Sequence, residues 1–196
     1  MQTLIFNGSP KKNGDTEALI NALASHLNGE VKIISSRSNI SPCIDCRHCW
    51  QNTGCILNDD MQEIYTYLKT CDNIVMASPI WFSSLSGILL NMASRIQMLY
   101  TAQYFQKRAL PMKEKKGVLI LAGGEAGTEI VPTQTALIIM KFMNVHRPSV
   151  AKIYSLDTNN VPASKDQAAL AQCRKAADIL NRSYNDGNTE MKGQQT

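Results

Sequence analysis

The sequence predicts an α/β fold, doubly wound around a five-stranded parallel sheet, and three observations carry that expectation. Short apolar segments alternate with segments of helical periodicity along the chain. The apolar segments run continuously, as in strands covered on both faces. Polar or glycine-containing loops follow them, where an open α/β sheet collects its ligands.

The elements follow in order. Thr3 to Phe6 (T-L-I-F) reads as the first strand, and the loop N-G-S-P-K-K-N-G-D comes after it. From Thr16 to Leu27, Ala18, Leu19, Ala22, Leu23 and Leu27 recur at helical spacing. Val31 to Ile34 is the second strand, followed by a loop rich in cysteine. Asp59 and Asp60 offer an N-cap to a helix through Leu68. Asn73 to Pro79 is a buried strand ending in a turn, and Leu85 to Tyr100 one helix with Ile88, Leu89, Met92, Ile96 and Leu99 on a face. Gly117 to Gly124 is a strand ending in glycines. A helix over Gln134 to Met143, a strand near Val150 to Tyr154 and a helix from Lys165 to about Tyr184 complete five strands and five helices.

These elements form one domain over residues 1–184, with a cysteine-rich loop at 41–58; residues 185–196 carry no periodicity and read as a flexible tail. With 44% hydrophobic and 18% charged residues, the 196-residue chain has material for a core without disulfides. Its net charge of +4 is mild, and aromatic residues do not interleave with the basic cluster Lys113, Lys115 and Lys116. A nucleic-acid partner is therefore not expected; attraction of anionic small molecules is. The apolar windows at Ile74 to Phe82 and Gly117 to Gly123 are far shorter than the ~20 residues of a membrane helix, so no membrane association is expected. The opening M-Q-T-L-I-F-N-G lacks the pattern of a secretory signal, and the expected location is the cytoplasm. In a reducing cytosol, clustered cysteines are metal ligands or redox thiols more often than bridges.

The loop after the first strand compresses Ser9, Lys11, Lys12, Asn13 and Thr16 between strand and helix. Hydroxyls, positive charge and the amides of a helix start suit a phosphate. The pattern is neither a P-loop nor a dinucleotide fingerprint. The loop at Ser78 to Ser84 brings Pro79, Ile80, Trp81 and Phe82 to the end of the third strand, and Gly123 and Gly124 end the fourth, where glycine permits close approach of a ligand. Cys43, Cys46, Cys49 and Cys55 are spaced C-x2-C-x2-C-x5-C, and steps of three allow three thiolates to wrap one small object. The opening matches bacterial ferredoxin runs, and four thiolates are the ligand count of a [4Fe–4S] cluster. Zinc and a cluster-free redox thiol loop are the alternatives, although zinc sites usually pair more distant knuckles. Cys71 and Cys173 stand alone and read as buried small hydrophobes.

The motifs N-G-S-P-K-K-N-G-D-T, A-S-P-I-W-F-S-S-L-S-G-I-L-L-N-M-A-S-R and L-A-G-G-E-A-G together resemble the flavodoxin-like NAD(P)H-dependent FMN reductases, over roughly Met1 to Tyr184. The resemblance implies a flavodoxin-like three-layer sandwich. It implies that Ser9, Lys11, Asn13 and Thr16 hold the FMN phosphate, with Pro79, Ile80, Trp81 and Phe82 along the isoalloxazine. Lys11 and Asp15 stand where arginine and asparagine are frequent in that family, and Asp15 is expected to point away from the phosphate. The cysteine spacing is similar to that of the iron–sulfur flavoprotein branch, which implies a [4Fe–4S] cluster near the flavin, ligated by Cys43, Cys46, Cys49 and Cys55. The implied function is electron transfer from NAD(P)H or a reduced carrier to a quinone, an iron centre or a small electrophile, in a homodimer or larger homo-oligomer. No catalytic acid or base is expected, because flavin carries the chemistry. A non-enzymatic flavodoxin-type carrier and an FMN reductase with a cluster-free thiol loop are the rival readings.

Overall fold

A computed structural model describes residues 1–108 and 111–182; the tail expected at 185–196 lies outside the described residues. In chain order the elements are β1 (Gln2–Asn7), α1 (Asp15–Ala24), β2 (Glu30–Ser35), α2 (His48–Gln51), α3 (Met61–Thr70), β3 (Asn73–Trp81) and β4 (Ser84–Leu85). There follow α4 (Gly87–Ser94), α5 (Gln97–Tyr104), β5 (Lys115–Ala122), α6 (Ile130–Phe142), β6 (Val145–Ser155), a 3-10 turn (Ala163–Lys165) and α7 (Gln167–Asn181).

Five strands pair in parallel in the order β2-β1-β3-β5-β6, the expected sheet. Successive residues point to opposite faces. Leu4, Phe6, Ile74, Met76, Leu119 and Leu121 therefore meet α3, α4, α5 and α6, whereas Ile5, Val75, Val118, Ile120 and Ile153 meet α1 and α7. The result is the helix–sheet–helix sandwich of the flavodoxin-like class. The chain leaves β1 toward β2 and then crosses back to β3, so the loops after β1 and β3 diverge at a switch point, where such sheets bind ligands.

Several elements differ from the expectation. The helix expected over Leu85 to Tyr100 is two, because the chain turns at Arg95 and Ile96 and buries both. With α2 the described helices number seven. Asp60 does not cap α3 with its side chain: it accepts from the Asn39 N–H at 2.8 Å, while Asp59 Oδ1 accepts from the Met61 N–H at 3.1 Å. The last strand begins at Val145 and reaches β5 through a register irregularity between Lys115 and Gly117. Lys115 is buried and Lys113 pairs with Asp72, so the lysine cluster is not one exposed face. Among the described residues no helix is long and apolar enough to cross a membrane.

Candidate functional site

Four loops at the carboxyl ends of the strands surround one void of about 720 Å3, including its open mouth. Ser9, Lys11 and Thr16 line it from the first loop and the start of α1. Pro79, Ile80 and Trp81 come from the end of β3, and Gly123 and Gly124 from the end of β5. Thr158 and Asn159, after β6, form the fourth side.

The first loop is folded by its own polar groups. The Ser9 N–H donates to Asn7 Oδ1 at 2.9 Å, and the Lys11 N–H donates to Ser9 Oγ at 3.3 Å. The stem of Lys11 lies over Gly14, and Thr16 is buried in the first turn of α1, a helix whose positive end opens here. Asp15, expected to point away from the phosphate, also lines the void; its Oδ1 accepts from the Ala163 N–H at 2.8 Å and ties this loop to the 3-10 turn. Asn13 is exposed and does not line the void; its N–H is bound by the Glu17 carboxylate.

Gly8 fits because it has no side chain. A Cβ there would stand 2.6 Å from Leu89 Cβ and 2.7 Å from Ser86 Oγ. Ser86 caps α4, accepting from the Leu89 N–H at 3.2 Å, and donates to Gly8 O at 2.7 Å. The Ser86 N–H in turn donates to Ser78 Oγ at 2.9 Å. Ser78 and Ser86 thus lock the first loop to the end of β3, a role that the sequence hinted at only through a serine before an apolar helical run.

β3 and β4 form a tight hairpin, with Trp81 opposite Ser84. Its two turn residues, Phe82 (φ 51°) and Ser83 (φ 53°), are both left-handed, as a type I′ turn requires, though neither is glycine or asparagine. Phe82 is fully exposed at the tip and does not line the void, whereas Trp81 does. Gly124 is held against Asn159, whose amide would lie 2.3 Å from an added Cβ, and the Thr158 N–H donates to Gly123 O at 3.0 Å. Thr158 and Asn159 went unrecognised in the sequence; the signal available was their place after the fifth parallel strand.

Cys43, Cys46, Cys49 and Cys55 line a second pocket with Ile44, Trp50, Leu57, Arg95 and Met98, and it shares no lining residue with the first. All four are free thiols, Cys43 and Cys46 exposed, Cys49 and Cys55 half-buried. Left-handed Asp45 and Arg47 bend the loop between them. Side chains from α3, α4, α5 and the segment after α5 hold its backbone. The Ser94 hydroxyl accepts from the Cys43 N–H at 2.9 Å. The Cys49 carbonyl accepts from Thr101 Oγ1 at 3.1 Å and Gln106 Nε2 at 3.0 Å, and the Cys55 carbonyl from Gln62 Nε2 at 2.9 Å. Among the described residues no three His, Cys, Asp or Glu side chains converge closely enough to hold a metal ion. The wrapping read from the spacing is thus only half formed: one pocket gathers the thiols, but they do not close on a common centre. Thiols are weak hydrogen-bonding partners and do not draw one another together. Cys71 and Cys173 are fully buried, and burial pushes each thiol up to about 11.

The family model of NADPH-dependent FMN reductases matches residues 1–158. An iron–sulfur flavoprotein of Methanocaldococcus jannaschii is 27% identical over 198 residues, covering 94% of this chain and 96% of its own. Another, from Methanosarcina thermophila, is 27% identical over 147 residues, 72% of each chain. The NAD(P)H:quinone oxidoreductase from Methanothermobacter marburgensis shares the fold with a TM-score of 0.67 at 16% identity, over 94% of this chain and 98% of that one. The chain belongs to the NADPH-dependent FMN reductase family and is an NAD(P)H-dependent FMN oxidoreductase.

Proposed function

We propose that this oxidoreductase passes electrons from NAD(P)H or a reduced carrier, by way of FMN and a [4Fe–4S] cluster, to a quinone, an iron centre or a small electrophile. The carrying observation is the pairing of two pockets on one fold: a strand-end void with hydroxyl, lysine and helix-start amides, and a separate pocket walled by four free thiols. FMN, when bound, accepts hydride and releases electrons singly or in pairs; a cluster passes them singly.

The residues present fit both groups. Ser9, Lys11 and Thr16 bind the phosphate end, with Asn13 supporting the loop from outside through its left-handed turn. Pro79, Ile80 and Trp81 line the ring side and exclude water, and Gly123 and Gly124 let the backbone approach the ring's edge. Phe82, exposed beside Trp81, meets a second copy of the chain, in keeping with a homodimer working in the cytoplasm. Cys43, Cys46, Cys49 and Cys55 supply the donor number and chemistry of a four-thiolate site. Their closing on a common centre is driven by binding, since metal affinity and loop folding are coupled.

A second reading keeps FMN and leaves the thiols without a cluster; it is favoured by their failure to converge. Anaerobic purification, a visible spectrum and assays of iron, sulfide and flavin separate the two. Bound FMN with iron and sulfide in equal amounts supports the first; FMN alone supports the second. Protein that cannot be loaded with FMN refutes both. Steady-state oxidation of NADH and NADPH with quinone and ferric acceptors then identifies the substrates.

A further inference from the structure

Arg95 closes α4 and is 1% exposed, among the largest fully buried side chains of the protein. Burying a guanidinium is costly unless its N–H groups are satisfied. Its acceptors lie at the two ends of the cysteine loop. Nη1 donates to Asp59 Oδ2 at 2.5 Å and to Ser41 O at 2.9 Å, and Nη2 approaches Leu57 O at 3.4 Å. Asp59 Oδ2 also accepts from the Ser41 N–H at 3.0 Å. Ser41 stands two residues before Cys43 and Leu57 two residues after Cys55, so one fork draws together both strands of the loop's neck.

A plain structural ion pair accounts for those contacts and no more. Two further facts go beyond it. Arg95 is itself part of the wall of the pocket lined by all four cysteines. Its Nε–H is buried and has no acceptor among the described residues. An orphaned donor on a cationic group is expensive, so its place in a sulfur-lined pocket points to an anionic acceptor there.

We propose that Arg95 is a positioning residue for the sulfur ligands of this loop, its fork closing the neck through Ser41, Leu57 and Asp59 and its remaining N–H and fixed charge serving the sulfur gathered by the four cysteines. The inference rests on the reading of the cysteines as cluster ligands. Four thiolates around a cluster carry net negative charge, and reduction adds to it. A buried cation and an N–H···S bond therefore favour the reduced form and raise the potential. Asp59, the paired carboxylate, acts in the opposite sense.

The test uses the full chain, purified and reconstituted anaerobically with iron and sulfide, as wild type, Arg95→Lys, Arg95→Met and Asp59→Asn. Bound FMN reports folding, hydrogen exchange over residues 41–58 reports the neck before iron is added, and redox titration reports the cluster. Arg95→Met is expected to keep FMN, exchange its loop about tenfold faster and bind less iron. Its remaining cluster should titrate lower by about tenfold in the reduction equilibrium, 59 mV for one electron. Asp59→Asn loosens the neck too but moves the potential upward, and opposite signs are not what loosening alone produces. Arg95→Lys keeps the charge and loses the fork, so exchange rises while the potential stays near wild type; it serves where Arg95→Met loses FMN. Wild-type exchange, iron and potential in Arg95→Met would overturn the inference while the cluster reading stands. A wild type that takes up no iron ends the cluster reading and the sulfur-facing half of this one, and exchange still decides the neck.

Discussion

Replacing Gly8 by alanine tests whether the first loop is set by its contact with α4. The Gly8 N–H donates to Ala77 O at 2.8 Å, and its carbonyl accepts from Ser86 Oγ at 2.7 Å. A methyl there would meet Leu89 Cβ at 2.6 Å, Ser86 Oγ at 2.7 Å and Ala77 O at 3.0 Å. Relaxed contacts need roughly 3.5–4 Å, so about 1 Å must be found. Neither Leu89 Cβ nor Ala77 O can rotate away, being fixed by α4 and β3. Overpacking of this kind costs about 1–3 kcal/mol, and displacing Ser86 from the Gly8 carbonyl adds about 1 kcal/mol. At about 2–4 °C per kcal/mol for a chain of this size, the melting temperature should fall by roughly 5–15 °C. FMN affinity should fall about tenfold, because Ser9 and Lys11 move with the loop. Thermal unfolding of the apoprotein and titration by quenching of flavin fluorescence measure both. Gly87→Ala is the control: an added Cβ there meets nothing within 4 Å. Gly8→Ala melting within a degree of wild type, with unaltered FMN affinity, would refute the reasoning.

Three other outcomes are expected. Lys11→Met should weaken FMN by about 1.5–3 kcal/mol, roughly tenfold to a hundredfold, and leave riboflavin affinity nearly unchanged; an equal loss for both ligands would remove Lys11 from the phosphate. Burial raises the Asp59 pKa, but the hydrogen bonds and charge of Arg95, with the Ser41 and Met61 amides, outweigh it and hold the carboxyl below its usual value. The resulting stability is complete above the unfolded carboxylate value of about 3.9 and is lost as pH falls through the folded one. Urea midpoints between pH 5 and 2 should therefore decline less steeply in Asp59→Asn than in wild type. Burial holds the Lys115 ammonium below its usual pKa, a penalty at neutral pH that is relieved as pH rises through the folded value toward about 10.4. Lys115→Met should add about 1–2 kcal/mol at pH 7 and flatten stability at alkaline pH; a destabilised Met variant would contradict this.

The central strands β1, β3 and β5 were legible because Leu4–Phe6, Ile74–Ala77 and Val118–Ala122 are buried, unbroken apolar runs. The edge strands β2 and β6 carry exposed residues and showed only as shorter apolar stretches, and the ligand loops were legible because topology puts them at the strand ends. The break between α4 and α5 was not, since Leu89, Met92, Ile96 and Leu99 keep helical spacing across it and all are buried; only the acceptors around Arg95, from remote segments, explain the turn. The hairpin at Phe82 and Ser83 lacks the residues that usually announce a type I′ turn. Thr158 and Asn159 resemble any polar connector until β5 and β6 are paired. The cysteine spacing was plain, but the carbonyl that Thr101 and Gln106 hold is a contact between distant parts of the chain.

The ends of α4 hold a loop of each pocket. Its capping residue Ser86 holds the Gly8 carbonyl of the loop after β1, and its last residue Ser94 and the C-cap Arg95 hold the cysteine loop. Eight helical residues span about 12 Å, so the helix acts as a ruler between the loops of the two pockets. A ruler of this kind constrains how such a protein can change. Substitutions along its exposed side leave the spacing intact, but inserting or deleting one residue turns Ser94 and Arg95 by about 100° and shifts them by about 1.5 Å relative to Ser86. Both loops cannot then stay docked at once. The loops themselves can vary in length, whereas the register of α4 cannot.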